Sequence, residues 1–266
     1  MSLSRRSFLN TGSWLVLPAI LPAPVARRVS QDSAAAPVET SFPTQPIALV
    51  KEMVTVAHGN VARVKELVTR QPSLAKAAWD WGFGDWEDAL GAASHVGSRE
   101  IAQILLDHGA RPTMFSAAML GQVDALKAFI TASPGIEATL GPHSITLLSH
   151  ARAGGPAAKD AVEYLGTLPK SDARPATVPI SVEELSTLAG TYVFGGAADA
   201  RITIALVKEA ITFQRIGGTA RGLSHAGERA FFPMGAPHVR IRFRETAAAV
   251  TLSVYDPDLV LTAERV

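Results

Sequence analysis

The stretch from residue 90 to residue 112, LGAASHVGSREIAQILLDHGARP, constrains the fold more than any other part of the chain. It contains two short helical patterns together with their start and stop signals. Gly97 ends the first pattern, and Ser98 stands where the N-cap of the second helix is expected. Apolar residues then recur at helical spacing until Gly109 and Pro112 stop the helix. The stretch therefore predicts a helix–turn–helix unit that needs neighbouring units to bury its apolar faces.

The same arrangement recurs along residues 47–168, which read as consecutive helix pairs. The pairs align on four inter-helix glycines: Gly59, Gly97, Gly121 and Gly155. Paired apolar residues follow the first three glycines at a constant distance, as they do on the outer helix of a repeat. Small residues occupy the helices that precede the glycines, so that stacked helices can approach closely. This periodicity predicts an α-solenoid.

Two segments of these helices resemble ankyrin repeats. Residues 105–112, LLDHGARP, are similar to the paired-leucine outer helix of that family with its G-A-D-P ending, although Arg111 replaces the aspartate. Residues 146–151, TLLSHA, resemble the family's T-P-L-H-x-A motif, with leucine in place of proline. The spacing of the last two aligned glycines is also close to the ankyrin period of ~33 residues. The resemblance implies an ankyrin-type solenoid over residues 47–168, with a concave face that binds a protein partner.

Residues 1–36 have the features of an export signal. Residues 4–9, SRRSFL, resemble the twin-arginine motif, and an apolar stretch over residues 14–21 follows. That stretch is too short for a permanent membrane span, but its length suits a signal peptide. Small residues at 23–26 and at 34–36 offer two cleavage zones. We therefore expect a periplasmic or secreted mature protein, exported by the twin-arginine route, without a permanent membrane span.

Removal of this leader changes the charge of the chain. The whole chain has a formal net charge of +1, and residues 1–36 contribute +3 through four arginines and Asp32, which leaves −2 for the remainder. A mildly acidic protein lacks the basic surface that nucleic acids require, so we expect no nucleic-acid partner. The chain has no cysteine, which excludes disulfides, thiolate zinc ligands and cysteine nucleophiles.

Beyond residue 168 the pattern changes from helical to extended. Residues 169–181 contain three prolines and predict a linker. In residues 182–266, apolar side chains alternate with polar or small ones between regularly spaced turn signals, which predicts short antiparallel strands in a small β-barrel or sandwich. Residues 188–192, LAGTY, and residues 259–263, LVLTA, resemble the lipocalin-like module appended to β-lactamase-family serine hydrolases. The expected fold class is α+β multidomain, an ankyrin-type α-solenoid followed by this small antiparallel module.

Residues 79–88, WDWGFGDWED, combine aromatic and acidic side chains between two repeats, where ankyrin proteins place the finger that lines their concave face. Rigid aromatic side chains of this kind are typical of binding hot spots. The alternative is a finger that packs its indoles against its own helices. As a partner-binding site we predict seven residues: Trp79, Trp81, Phe83, Asp85, Trp86, Glu87 and Asp88.

The other polar motifs form no catalytic or metal-binding signature. The seven histidines lack helical metal-ligand spacing, so we assign them structural roles and predict no metal, no cofactor and no catalytic residue. Residues 73–76, SLAK, fit the S-x-x-K pattern of serine hydrolases only by chance, because the other motifs of those enzymes are missing. Nothing in the sequence indicates an enzyme.

Three arginines alternate with apolar residues on one predicted strand: Arg240, Arg242 and Arg244. Alternation places all three on the same face, which we interpret as a solvated outer surface. If that face lined the mouth of the barrel, it would bind a carboxylate or a phosphate.

These observations favour an exported, non-catalytic scaffold that binds a protein partner through the concave face and the Trp-rich finger. The alternatives are a small-ligand-binding β-barrel and an accessory subunit of a hydrolase. The sequence makes no prediction of the oligomeric state or of the partner.

Overall fold

The computed structural model describes residues 40–197, 199–247 and 249–266. The predicted export signal at residues 1–36 lies outside the described residues. Residues 41–266 form one compact unit that contains helices, a small hairpin and a β-barrel. None of the helices in the described ranges is long and apolar enough to cross a bilayer.

Helices that lie in sequential pairs make up the first part of this unit. Their bounds are Ile47–Val56 (α1), Val61–Arg70 (α2), Ala89–His95 (α3), Arg99–Asp107 (α4), Met114–Leu120 (α5), Val123–Ala132 (α6), Leu147–Ala153 (α7) and Lys159–Gly166 (α8). The residues that start and stop these helices have the expected conformations. Thr113 and Ser116 form a capping box at the start of α5, and Gly121 ends that helix with φ 77°. Gly97 also has positive φ, and a Cβ atom there would collide with the Ala153 carbonyl, so the packing of neighbouring pairs requires glycine.

A two-stranded antiparallel hairpin separates the first helix pair from the second. Its strands are Ala78–Asp80 (β1) and Trp86–Asp88 (β2). Three consecutive residues of the turn, Gly82, Phe83 and Gly84, have positive φ. The hairpin corresponds to the Trp-rich finger of the sequence.

The second part of the unit is a closed barrel of eight antiparallel strands. Their bounds are Gly190–Val193 (β3), Arg201–Val207 (β4), Ala210–Arg215 (β5), Arg221–Gly227 (β6), Ala230–Pro233 (β7), Arg240–Glu245 (β8), Val250–Asp256 (β9) and Leu259–Arg265 (β10). Successive strands are neighbours, and β10 closes the barrel by pairing with β3. The prediction of a small antiparallel β-barrel is therefore confirmed, and closure excludes the sandwich.

Aromatic and aliphatic side chains fill the barrel. Phe243 lies in edge contact with Tyr192 and Phe231, at ring-centroid distances of 5.8 and 5.5 Å. A short helix, Val182–Leu188 (α9), precedes β3 and adds two leucines to this core. The alternating pattern of the sequence predicts this interior correctly, because the apolar residue of each alternating pair points inward.

The helices and the barrel are joined by residues 169–181, which contain no helix or strand. The segment is nevertheless tied to the barrel, since the backbone nitrogen of Val178 donates to the carbonyl of His225 at 2.9 Å. Helices together with a closed antiparallel barrel make the chain an α+β protein, as the sequence predicts.

Candidate metal centre

The β1–β2 hairpin carries acidic side chains into the interior. Side chains alternate between the faces of a strand, and the register pairs Trp79 with Glu87 and Asp80 with Trp86. Trp79 packs against the helical core, and Glu87 on the same face is 1% exposed. Trp86, on the opposite face, is 64% exposed. Asp85, which precedes β2, is also buried. Carboxylates buried in this way need partners that compensate for lost hydration.

Three histidines surround the carboxylate of Glu87. Nε2 of His95 lies 2.8 Å from Glu87 Oε1, and Nε2 of His143 and of His58 lie 3.4 and 3.5 Å from Glu87 Oε2. The Nε2 atoms of His58 and His95 are 3.2 Å apart. One potential ligand atom from each of the four residues therefore lies within 4.8 Å of the other three.

His58 follows the C-terminal end of α1, and its ring turns back onto that helix. Its Nδ1 atom lies 3.0 Å from the carbonyl oxygen of Val54 and 3.1 Å from that of Thr55. Because a carbonyl oxygen can only accept, Nδ1 carries a proton and donates it. In the neutral ring, Nε2 then presents its lone pair to the cluster, which is the state of a metal-binding histidine.

His95 is placed opposite Glu87 because helix α3 begins directly after strand β2. Asp88 ends the strand and caps the helix, where its carboxylate accepts a hydrogen bond of 2.5 Å from the Gly91 backbone nitrogen. Burial raises the pKa of Asp88 above its usual range. His95 is the last residue of this seven-residue helix, and its side chain is 10% exposed.

His143 comes from the tight loop between α6 and α7. Both His143 and Ser144 have φ 59°, a left-handed conformation that residues other than glycine rarely adopt. Asp85 holds the loop in place: its two oxygens accept from the His143 backbone nitrogen at 2.8 Å and from His143 Nδ1 at 2.7 Å. The same carboxylate is paired with Arg221 of strand β6, which also donates to the carbonyl of Met234.

The barrel therefore reaches the cluster through the hairpin turn. Phe83 at the tip packs against the barrel core, with its ring 5.4 Å from that of Phe213. Gly235, in the turn after β7, has φ 86°, and a Cβ atom there would collide with the Asp85 carboxylate. A chain of contacts thus runs from Arg221 through Asp85 to His143.

These contacts determine the charges of His143, Glu87 and Asp85. Burial alone would lower the pKa of His143, but hydrogen bonds to Asp85 and Glu87 outweigh it and raise that pKa to about 9. Burial alone would raise the pKa of Glu87, but hydrogen bonds from His143 and His95 outweigh it and hold that pKa at about 2. The pKa of Asp85 is likewise below its usual range, because the hydrogen bonds from His143 outweigh the effect of burial. Without metal, two carboxylates thus face the cations of His143 and Arg221.

Two further side chains complete the surroundings of the cluster. The indole nitrogen of Trp81 donates to Glu87 Oε2 at 2.7 Å, which fixes the carboxylate. His150 of α7 is fully buried, 6.3 Å from His95 between ring centroids, and burial lowers its pKa to about 3. Neither of its ring nitrogens has a hydrogen-bond partner among the residues that the structure describes.

The donor set suits a divalent transition metal such as zinc. Zinc binds imidazole nitrogen and carboxylate oxygen at about 2.0–2.2 Å, and a tetrahedron of that size has ligand–ligand edges of roughly 3.3 Å. Four separations between nitrogen and oxygen donors of the cluster, 2.8 to 3.5 Å, bracket this value, and the four ligand atoms all lie within 4.8 Å of one another. The outer contacts of His58 and His143, to a carbonyl and to a carboxylate, are those that orient metal-binding histidines.

The structure distributes the seven residues of the predicted partner-binding site over different environments. Trp79 and Trp81 are half-buried against the helical core, and Phe83 packs against the barrel. Asp85 and Glu87 are buried in the cluster, and Asp88 caps α3. Trp86 remains largely exposed.

The three arginines of strand β8 lie on the outer face of the barrel, because the alternating residues Ile241 and Phe243 belong to its core. Arg240 donates to the carbonyls of Pro237 and Val239, and Arg242 lies over the ring of Tyr255. Arg244 is exposed on the same face. They therefore flank the barrel instead of lining its interior.

Sequence reasoning missed the three histidines of the cluster. It assigned them structural roles because they lack a local spacing motif, and the structure brings them together from the end of α1, the end of α3 and a distant loop. For Glu87, the sequence contains one indication of the face on which the side chain lies. The glycine-rich centre of residues 79–88 is typical of a hairpin turn, and alternation on its strands puts Glu87 on the same face as Trp79.

No protein-family model, no curated protein and no solved structure matches this chain.

Proposed function

We propose that this chain binds a divalent transition metal ion, with zinc the best fit, through His58, Glu87, His95 and His143. The supporting observation is the convergence of three imidazole nitrogens on one buried carboxylate, with all four ligand atoms within 4.8 Å of one another. Nitrogen and oxygen donors without sulfur suit zinc, and other metals of the same series compete for such ligands. The four ligands come from four segments, so a bound ion would join the first two helix pairs, the hairpin and the loop before α7.

Zinc titration of the chelator-treated protein by calorimetry tests this proposal. His58→Ala should weaken zinc binding by more than about 100-fold, beyond the 10–100-fold typical of losing an outer-shell contact. His108→Ala is a matched control, because His108 also bonds the carbonyl four residues earlier through Nδ1, at 2.8 Å, but lies outside the cluster. Equal zinc affinities for the two variants would contradict the proposal.

We propose further that the helix pairs are ankyrin-type repeats and that the exported protein uses them to bind a protein partner. The hairpin lies between two helix pairs, as a repeat finger does. Its exposed Trp86 borders an apolar groove of about 360 Å³ with Trp79, Val50 and the 72% exposed Ile47. Exposed apolar surface of this kind is typical of interaction sites. Because aromatic side chains fill the barrel, its interior offers less support for the small-ligand alternative.

The partner hypothesis is tested by pull-down from periplasmic extract with two variants of the hairpin. Trp86→Ala should reduce capture of a partner with little change in melting temperature, because its side chain is mostly in solvent. Trp81→Ala should instead lower the melting temperature, because its indole packs against the helical core and binds Glu87. Full capture by the Trp86 variant would refute a partner site at this groove.

A further inference from the structure

A cleft of about 580 Å³ opens between the helices, residues 169–181 and the barrel. Six of the side chains that line it bear on what it can bind: His143, Ser144, Ile145, Arg174, Phe232 and Met234. The volume lies within the roughly 300–1,000 Å³ of small-molecule sites, which are common where two substructures meet. His143 belongs to the metal centre as well, so the cleft reaches that centre from the barrel side.

The polar side of the cleft carries excess positive charge. Arg174 lies 3.2 Å from Asp172, and Arg152 lies 2.8 Å from the other oxygen of the same carboxylate. Two guanidinium groups therefore share one negative charge. Arg174 also donates to Ser149 Oγ at 3.0 Å, which holds the guanidinium at the wall of the cleft. Arg174 lines the cleft, and Arg152 is not among its lining residues.

The loop beside His143 adds an unsatisfied hydroxyl group. Ser144 Oγ is buried and has no hydrogen-bond partner within the described part of the chain, although Ser144 lines the cleft. Both His143 and Ser144 are held at φ 59°. A buried hydroxyl without a partner and a strained backbone are both costly, and such features cluster at binding sites.

The cleft also has an apolar wall. Phe232 and Met234 come from strand β7 and the turn that follows it, and Ile145, from the loop before α7, also lines the cleft. Methionine adapts its shape to a bound apolar group, and Met234 is half-exposed at this wall. A ligand that fits both walls must combine an anionic end with an apolar body.

We infer that this cleft binds a small organic carboxylate. Its carboxylate pairs with Arg174, and its apolar body lies against Phe232 and Met234. The placement of this ligand next to a metal ion rests on the proposed function. The cleft and its charge are observed independently of that proposal.

Calorimetry on the full chain tests this inference with 4-phenylbutyrate as the probe and 4-phenylbutyramide as its neutral counterpart. The carboxylate should bind at least tenfold more tightly than the amide. Arg174→Gln should remove that preference, while Arg152→Gln, which deletes the same charge from the same ion pair but from a side chain outside the cleft, should weaken binding clearly less than Arg174→Gln does. Both side chains are more than half exposed, so both variants should fold, which circular dichroism checks.

Failure of the probe to bind, equal binding of the amide, or equal losses in the two arginine variants would overturn the inference. The titrations are run with excess chelator and again with zinc. Zinc binding without probe binding overturns the carboxylate site and leaves the metal centre intact. Probe binding without zinc binding upholds the carboxylate site and contradicts the metal centre.

Discussion

Zinc binding at the proposed centre should release a proton, because His143 is protonated when the metal is absent. Its pKa is about 9, so nearly every molecule carries this proton at pH 7.5. Ligation through Nε2 requires the lone pair that the proton occupies. We expect about one proton to leave per zinc ion bound, and the dissociation constant to rise about tenfold, or roughly 1.4 kcal/mol, when the pH falls from 8.5 to 7.5.

The metal-free protein should show the opposite trend. The pKa of His143 is raised from 6.5 to about 9 on folding, so the charged ring stabilises the fold fully below about pH 6.5, and that contribution is lost as the pH rises through 9. The contribution is on the order of 3 kcal/mol. The melting temperature of the chelated protein should therefore fall over this interval, while the increase produced by zinc should grow.

The assay is calorimetry at pH 7.5 and 8.5 in two buffers with different ionisation enthalpies, together with melting curves for chelated and zinc-loaded protein. His143→Gln should remove both trends, since it deletes the titrating group. The reasoning is refuted if zinc binds with no proton release and equal affinity at the two pH values. It is also refuted if the chelated protein becomes more stable between pH 6.5 and 9.

The barrel should contribute to zinc affinity through the contact between Arg221 and Asp85. Arg221→Met removes this contact and should weaken zinc binding by about 10–100-fold in calorimetry. Arg240→Met, on the outer face of the barrel, should leave the zinc affinity unchanged. Leu105→Ala, at a fully buried position of α4, should lower the free energy of unfolding by roughly 2–5 kcal/mol in urea titrations; a loss near zero would contradict its place in the core. Arg5→Lys combined with Arg6→Lys should leave uncleaved precursor in the cytoplasm on fractionation, and unchanged periplasmic accumulation would contradict twin-arginine export.

The helix and strand pattern of this protein is encoded locally, which is why the sequence predicts it well. Thr113 caps α5 as a hydroxyl at that position should, and Gly121 ends the helix in the left-handed conformation. In the barrel, the alternation around Ile241 and Phe243 depends only on the period of a strand. The sequence does not predict the short helix α9, because this helix lies in a segment whose alternating pattern indicates strands only.

The candidate site was not predictable in the same way, because its members are brought together by packing and not by spacing. His58 and His143 lie on either side of the hairpin, 85 residues apart in the sequence, yet their rings stack at 6.4 Å between centroids. No helical or strand period connects them. The aromatic and acidic residues of the hairpin were recognised as unusual, but their chemistry depends on which face each side chain occupies.

Charge balance explains why the hairpin carries two buried carboxylates. Asp85 has the guanidinium of Arg221 within contact, so its charge is compensated at any pH near neutrality. Glu87 depends on His143 and on its hydrogen bonds from Trp81 and His95. When His143 loses its proton, Glu87 loses the positive charge that lies 3.4 Å from its carboxylate, and a buried carboxylate without a countercharge is strongly unfavourable. A divalent ion bound by the deprotonated histidines would replace that charge, and this is the physical reason that the cluster suits a metal.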